Sequence, residues 1–159
     1  YNVDFALEKT RVEREMNQYE RTFQSKYDAR DTATLYPAAQ QYVAAAHSYH
    51  AMHARGAPLL NDMHLADAYN QAAWAVYELY ADTIRLKQGL EWAKAAMALR
   101  ADYPVCDTYM RLLLANGQCR EARKTADRCE QLARKENREP TALQDIELFK
   151  RQCRKQCPD

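Results

Sequence analysis

The chain has 159 residues, enough for one domain with a sizeable core, and its 23 Lys and Arg against 22 Asp and Glu leave a formal charge of +1. That balance gives no electrostatic basis for binding nucleic acid or an anionic membrane surface. With 3 Gly and 5 Pro, and with Ala, Leu, Glu, Lys, Arg and Gln predominating, the composition excludes a β-rich or loop-rich fold. No run of about 18 apolar residues occurs, so no membrane insertion is expected. The sequence starts at Tyr1 without a signal-peptide pattern and reads as a mature or excised piece of a longer product.

Seven helices are predicted in one helical domain, 1–159. The first runs from about Val3 to Tyr27, with Phe5, Val12, Met16, Tyr19 and Phe23 building one apolar stripe. Between the stripe residues its basic and acidic side chains alternate, as in Glu8-Lys9-Thr10-Arg11-Val12-Glu13-Arg14-Glu15, the pattern of a solvated helix face laced with local ion pairs. Asp31 or Thr32 is expected to cap a second helix, about Ala33 to Ala54, whose first turn accommodates Pro37. Arg55-Gly56-Ala57-Pro58 is a stop signal, and Asn61 or Asp62 is the expected cap of a third helix, about Met63 to Ala81. A fourth helix, about Leu86 to Arg100, stops at Ala101-Asp102-Tyr103-Pro104. The fifth, about Val105 to Ala115, ends on Asn116-Gly117, a C-cap signal. The sixth spans about Arg120 to Lys135, and the seventh follows Asn137-Arg138-Glu139-Pro140 from about Thr141 to Arg154.

The third to sixth helices repeat. Ala93-x-x-Ala96-Met97-x-Leu99 aligns with Ala126-x-x-Cys129-Glu130-x-Leu132 at an offset of 33 residues, and in that register Gly89 falls on Ala122 and Tyr77 on Met110. Small residues at Gly89, Ala93, Ala96, Ala122 and Ala126 would let paired helices approach closely, with Val76, Tyr80, Tyr109 and Leu113 filling between them. The offset, together with Asn116-Gly117-x-x-x-Glu121-Ala122 between two helices, resembles the tetratricopeptide-repeat family, whose period is about 34 residues. Pro104 is similar to the proline that separates such repeats. The resemblance implies an all-α fold of antiparallel helical hairpins stacked as a TPR-like α-solenoid. It divides the chain into an N-terminal hairpin (1–58), two TPR-like hairpins (67–136) and a capping helix (140–155). The first repeat departs from the pattern: Ile84-Arg85-Leu86 stands where the turn usually has Gly, so a longer or distorted turn is expected.

The resemblance further implies a protein-interaction or scaffold module, not an enzyme, that binds a protein or peptide through its concave face. The groove-lining positions fall on Gln71, Trp74, Glu78, Asp107 and Arg111, and a Trp beside Arg and carboxylates has the composition of a binding hot spot. The alternative for Trp74 is packing against the preceding helix. Asn70-x-x-Ala73-Trp74-x-x-Tyr77, with Asp107-Thr108-Tyr109, also resembles the helical C-terminal regions of some bacterial envelope thioredoxin-like proteins. That resemblance implies an accessory domain, periplasmic or in the cell envelope, working with an upstream domain of the same chain.

No catalytic constellation, cofactor loop or Cys-x-x-Cys is present, and no cofactor is expected. His47 and His50 are near enough on one helix to share a metal with His64 or a cysteine, but Tyr49 and Met52 interleave with them as in packing histidines, so no metal site is expected. The five cysteines, Cys106, Cys119, Cys129, Cys153 and Cys157, fit no zinc spacing, and their odd number leaves at least one unpaired within the chain. They read mainly as reduced or buried small apolar residues. A Cys153–Cys157 bridge requires a frayed helix end.

Overall fold

The computed structural model describes residues 3–53 and 58–158. Among them lie seven α-helices and no strand: α1 (Val3–Asp28), α2 (Leu35–His53), α3 (Pro58–Leu79), α4 (Thr83–Leu99), α5 (Tyr103–Ala115), α6 (Cys119–Lys135) and α7 (Thr141–Gln156). Each helix packs on its neighbours in sequence, and α3 also touches α5. Short connections between packed neighbours make antiparallel hairpins. The all-α stack of hairpins expected from the sequence is the observed architecture.

Three of the turns close in the same way. After α5, Gly117 takes φ +76°, its N–H bonds to the Leu114 carbonyl, and the Gln118 N–H bonds to the Leu113 carbonyl at 2.9 Å. This Schellman arrangement satisfies carbonyls that the helix end would otherwise leave open. Asn137 (φ 57°) repeats it after α6, with Arg138 bonding to Ala133, and Arg30 (φ 53°) repeats it after α1, with Asp31 bonding to Lys26. Asp31 then accepts from the Thr34 backbone and hydroxyl, starting α2. Asp82 and Asp102 cap α4 and α5 through side-chain bonds of 3.0 Å to Arg85 N and Val105 N.

Several sequence expectations are corrected. Asn61 and Asp62 do not precede the third helix; α3 begins at Pro58, where a first-turn proline sacrifices no helical bond. Ala54 and the expected stop at Arg55-Gly56-Ala57 lie outside the described residues. Ile84-Arg85-Leu86 is not an irregular turn but the first turn of α4, and the link from α3 is only Tyr80-Ala81-Asp82. The cap at Asp82 had the same form as others in the chain, but the unusual apolar start of α4 masked it. Pro104 sits in the first turn of α5.

The core is lined with alanine. Ala66, Ala68, Ala72, Ala73 and Ala75 of α3, Ala93 and Ala96 of α4, and Ala122, Ala126 and Ala133 of α6 are wholly enclosed. Small side chains bring helix axes together, and the larger Val76, Met110, Leu112 and Leu113 fill the remaining space. Gly89 marks the tightest point: a Cβ there would lie 3.0 Å from Val76 Cγ1 and 3.1 Å from Leu112 Cδ2. On its outer side α7 rests on α6 through Ala142, Ile146, Phe149 and Cys153, while Gln144, Asp145, Glu147 and Arg151 face solvent.

Gly89→Ala is expected to destabilise the fold by about 1 kcal/mol, because overpacking against the stiff β-branched Val76 exceeds the helix-propensity gain. In a Val76→Ala background the same change should become neutral or stabilising, a sign reversal that urea unfolding of the four variants would read. Gly117→Ala meets no neighbour within 4 Å, so its cost is left-handed backbone strain alone, roughly 1 kcal/mol in the same assay.

Candidate functional site

The helices α3 and α5 lie side by side and carry the five expected groove residues. On α3, Trp74 is half-buried with its ring 5.4 Å from that of Tyr77. One turn on, Glu78 accepts from the Tyr27 hydroxyl and from Arg30 Nη1 at 3.2 Å. On α5, Arg111 Nε donates to Asp107 Oδ1 at 3.0 Å, and its guanidinium lies 5.7 Å from the centre of the Phe149 ring. Burial pushes the Asp107 carboxyl above its usual range, and the charge and hydrogen bond of Arg111 offset this only in part. Burial also opposes the Arg111 charge, but Asp107 and Tyr77 outweigh it and hold the guanidinium ionised.

A groove of about 270 Å³ brings Trp74 and Asp107 together with Asn70, Tyr103, Pro104, Thr108 and Arg138. Glu78 and Arg111 are not among its lining residues: each is engaged in its own ion pair beside it. Gln71 is part-exposed on the helix turn before Trp74 and does not line the groove either. Sequence reasoning missed Asn70, Tyr103 and Arg138. The first two were findable, since Asn70 lies four residues before Trp74 and Tyr103 four before Asp107, the spacing of neighbours on one helix face. Arg138 was not, because it arrives from the turn after α6, where its guanidinium sits 5.6 Å from the Tyr103 ring centre. Inside the groove wall, Asn70 Oδ1 is enclosed and has no hydrogen-bond partner in the chain.

Both hairpins hold this face in place by related clasps. The C-cap residue of α4, Arg100, reaches Asp67 of α3, and the C-cap residue of α6, Glu136, accepts from the Tyr103 N–H at 2.9 Å. The N-terminal hairpin docks on the first through Tyr80, whose hydroxyl donates to the Thr32 carbonyl at 2.8 Å and accepts from the Tyr36 N–H at 3.1 Å. Arg85 lies against the rings of both Tyr36 and Tyr80.

The histidines are dispersed among different partners. His50 Nε2 meets Asp62 at 2.8 Å, His53 Nε2 meets Glu13 at 3.2 Å, His47 Nε2 meets the Tyr69 hydroxyl, and His64 packs edge-on to Tyr49. These contacts join α2 to α1 and α3. Among the described residues no group of three His, Cys, Asp or Glu is arranged to hold a metal ion, and no helix is long and apolar enough to cross a membrane.

The cysteines divide into two kinds. Cys119 and Cys157 form a disulfide with a Cα–Cα separation of 6.2 Å, and Cys153, the partner considered for Cys157 from sequence, is a buried free thiol. The correction follows from geometry. Cys119 opens α6 and Cys157 follows α7, so antiparallel packing brings them together, whereas residues one helical turn apart meet bridge geometry poorly. Cys106 and Cys129 face each other between α5 and α6, and a hydrogen bond from the Cys129 thiol to Cys106, together with burial, holds Cys129 protonated far above its ordinary range. Burial likewise raises Cys153. Such thiols behave as apolar packing groups.

The class this arrangement defines is an all-α stack of helical hairpins compatible with a helical-repeat fold. Comparison with protein-family models, with curated proteins and with solved structures yields no match for the chain.

Burial and, after it, the nearby His50 pull the His47 imidazole below the ordinary histidine range. A depressed histidine favours the neutral form in the folded state, so its contribution is present above about pH 6.5 and is lost as pH falls through the lower folded value. The unfolding free energy of the wild type should therefore drop relative to that of His47→Gln between pH 7 and 5. Thermal melts at half-unit intervals would show the two curves converging, and parallel curves would exclude the effect.

Proposed function

We propose that the chain is a protein-interaction or scaffold module of TPR-like design, which binds a segment of a partner protein along the face formed by α3 and α5. Gln71, Trp74, Glu78, Asp107 and Arg111 are the proposed contact residues, joined by Asn70, Tyr103 and Arg138. The observation that carries the reading is the groove itself. It combines an aromatic anchor at Trp74 and a second ring at Tyr103 with the polar side chains of Asn70, Asp107 and Arg138. An extended peptide supplies side chains for the ring surfaces and backbone groups for the polar ones. Glu78 and Arg111 already have partners, so they fix the shape of this face and select for polar complementarity at its margin.

A second reading, an accessory domain of an envelope thiol–disulfide protein, draws support from the Cys119–Cys157 bridge, because disulfides form in oxidising compartments.

A photo-reactive side chain at Gln71, compared with one at the exposed Arg128, tests the first reading in the source cells. Crosslinks to a partner are expected from position 71 and not from 128. Trp74→Ala should then weaken that partner's affinity by roughly thirtyfold while leaving helical content intact, the scale of a hot-spot truncation. Undiminished affinity would overturn the assignment.

A further inference from the structure

We propose that the Cys119–Cys157 disulfide is a thiol–disulfide exchange site, opened by dithiol reductants in the folded protein, and that it acts as a latch on the last turn of α7. The inference is independent of the partner groove, which lies on α3 and α5.

Four features converge on it. Both cysteines are only half-buried, in contrast to the fully enclosed Cys106, Cys129 and Cys153. The pair lines an open groove of about 430 Å³ with Gly117, Gln118, Arg120 and Pro158, so an incoming thiolate has room to approach. The two sulfurs are electrostatically unequal. Cys119 is the first residue of α6, where unpaired backbone N–H groups and the helix dipole stabilise a thiolate, and among the charged side chains lining the groove Arg120 and Arg123 outnumber Glu121. Cys157 follows the C-terminus of α7, where the dipole has the opposite sign and Arg154 and Lys155 of the last turn offset it only in part. Finally, what the bond holds is local. Inward of the last turn, Phe149 and Ile146 are buried and Lys150 bridges to Asp127 and Glu130 at 2.9 and 3.0 Å. Opening the bond therefore frees one helical turn and leaves the docking of α7 on α6 in place.

The chemistry has a direction. A thiolate of the reductant attacks Cys157 Sγ, a mixed disulfide forms, and the Cys119–Cys157 bond breaks with its electron pair on Cys119, the better leaving group. The second thiol of the reductant attacks the mixed disulfide, gives up its proton to solvent and releases Cys157 as a thiolate, which is protonated. The pair gains two electrons and the reductant becomes a disulfide. Freed of its tether, the segment from Cys153 onward exposes the Cys153 thiol.

The test uses the intact chain without denaturant. Dithiothreitol followed by alkylation and peptide mapping should label Cys119 and Cys157 first and Cys153 next, with Cys106 and Cys129 protected. Brief treatment with the monothiol glutathione should place the mixed disulfide on Cys157. Arg120→Gln should slow opening roughly two- to fivefold, the scale of one charge at a helix terminus. Hydrogen exchange on reduction should rise in residues 153–157 while 142–149 keep their protection. The proposal fails if the bond resists dithiothreitol until the chain unfolds, if the adduct sits on Cys119, or if all five cysteines become reactive together.

Discussion

The structure depends on how closely α3 can be approached. It is touched by α2, α4 and α5, and no helix can pack on several sides unless its own surface is nearly smooth. Five enclosed alanines and the valine at 76 provide that surface, and Gly89 on the facing helix removes the one Cβ that would not fit. The arrangement explains why the large aromatic residues of α3 are displaced to its remaining exposed strip. Trp74 and Tyr77 occupy that strip, so the same steric rule that builds the core also places the rings of the candidate groove.

Around this centre the polar groups divide their tasks. Backbone closures at Arg30, Gly117 and Asn137 finish three helices, that of α5 with the Asn116 side chain donating to the Leu112 carbonyl. Side-chain clasps then close the hairpins, Arg100 to Asp67 and Glu136 to the Tyr103 N–H, while Tyr80 docks the N-terminal hairpin on the next through the Thr32 carbonyl and the Tyr36 N–H. Exposed ion pairs along α1, such as Arg11 with Glu8 and Glu15, contribute little by comparison because water competes for both charges. The clasps matter more because each joins groups far apart in sequence at the margins of the core.

Most of the helical pattern was legible in the residues because it rests on local chemistry. Val12, Met16 and Phe23 recur at helical spacing and are buried as a stripe, and Asn116-Gly117 needs only its own backbone to form a stop. The start of α4 was less legible, since Ile84 is an exposed apolar residue in a first turn and disguises the cap at Asp82. Asp107 and Trp74 line one groove, but Arg138 enters it from a distant turn, which no local spacing can reveal. The cysteine pairing belongs to the same category. Nothing near Cys119 announces Cys157; only the antiparallel return of α7 along α6 does.

That bridge also has a mechanical meaning. It closes a loop between residues 38 apart in sequence, and every residue of α6 and α7 after the first lies within or beside that loop. Tension applied to the chain beyond Cys157 passes through the sulfur–sulfur bond to Cys119 and on into α5, bypassing the backbone between them. While the bond is intact, the terminal helix pair cannot be drawn out by such a pull. The load falls instead on the Gly117 turn and the hairpin before it.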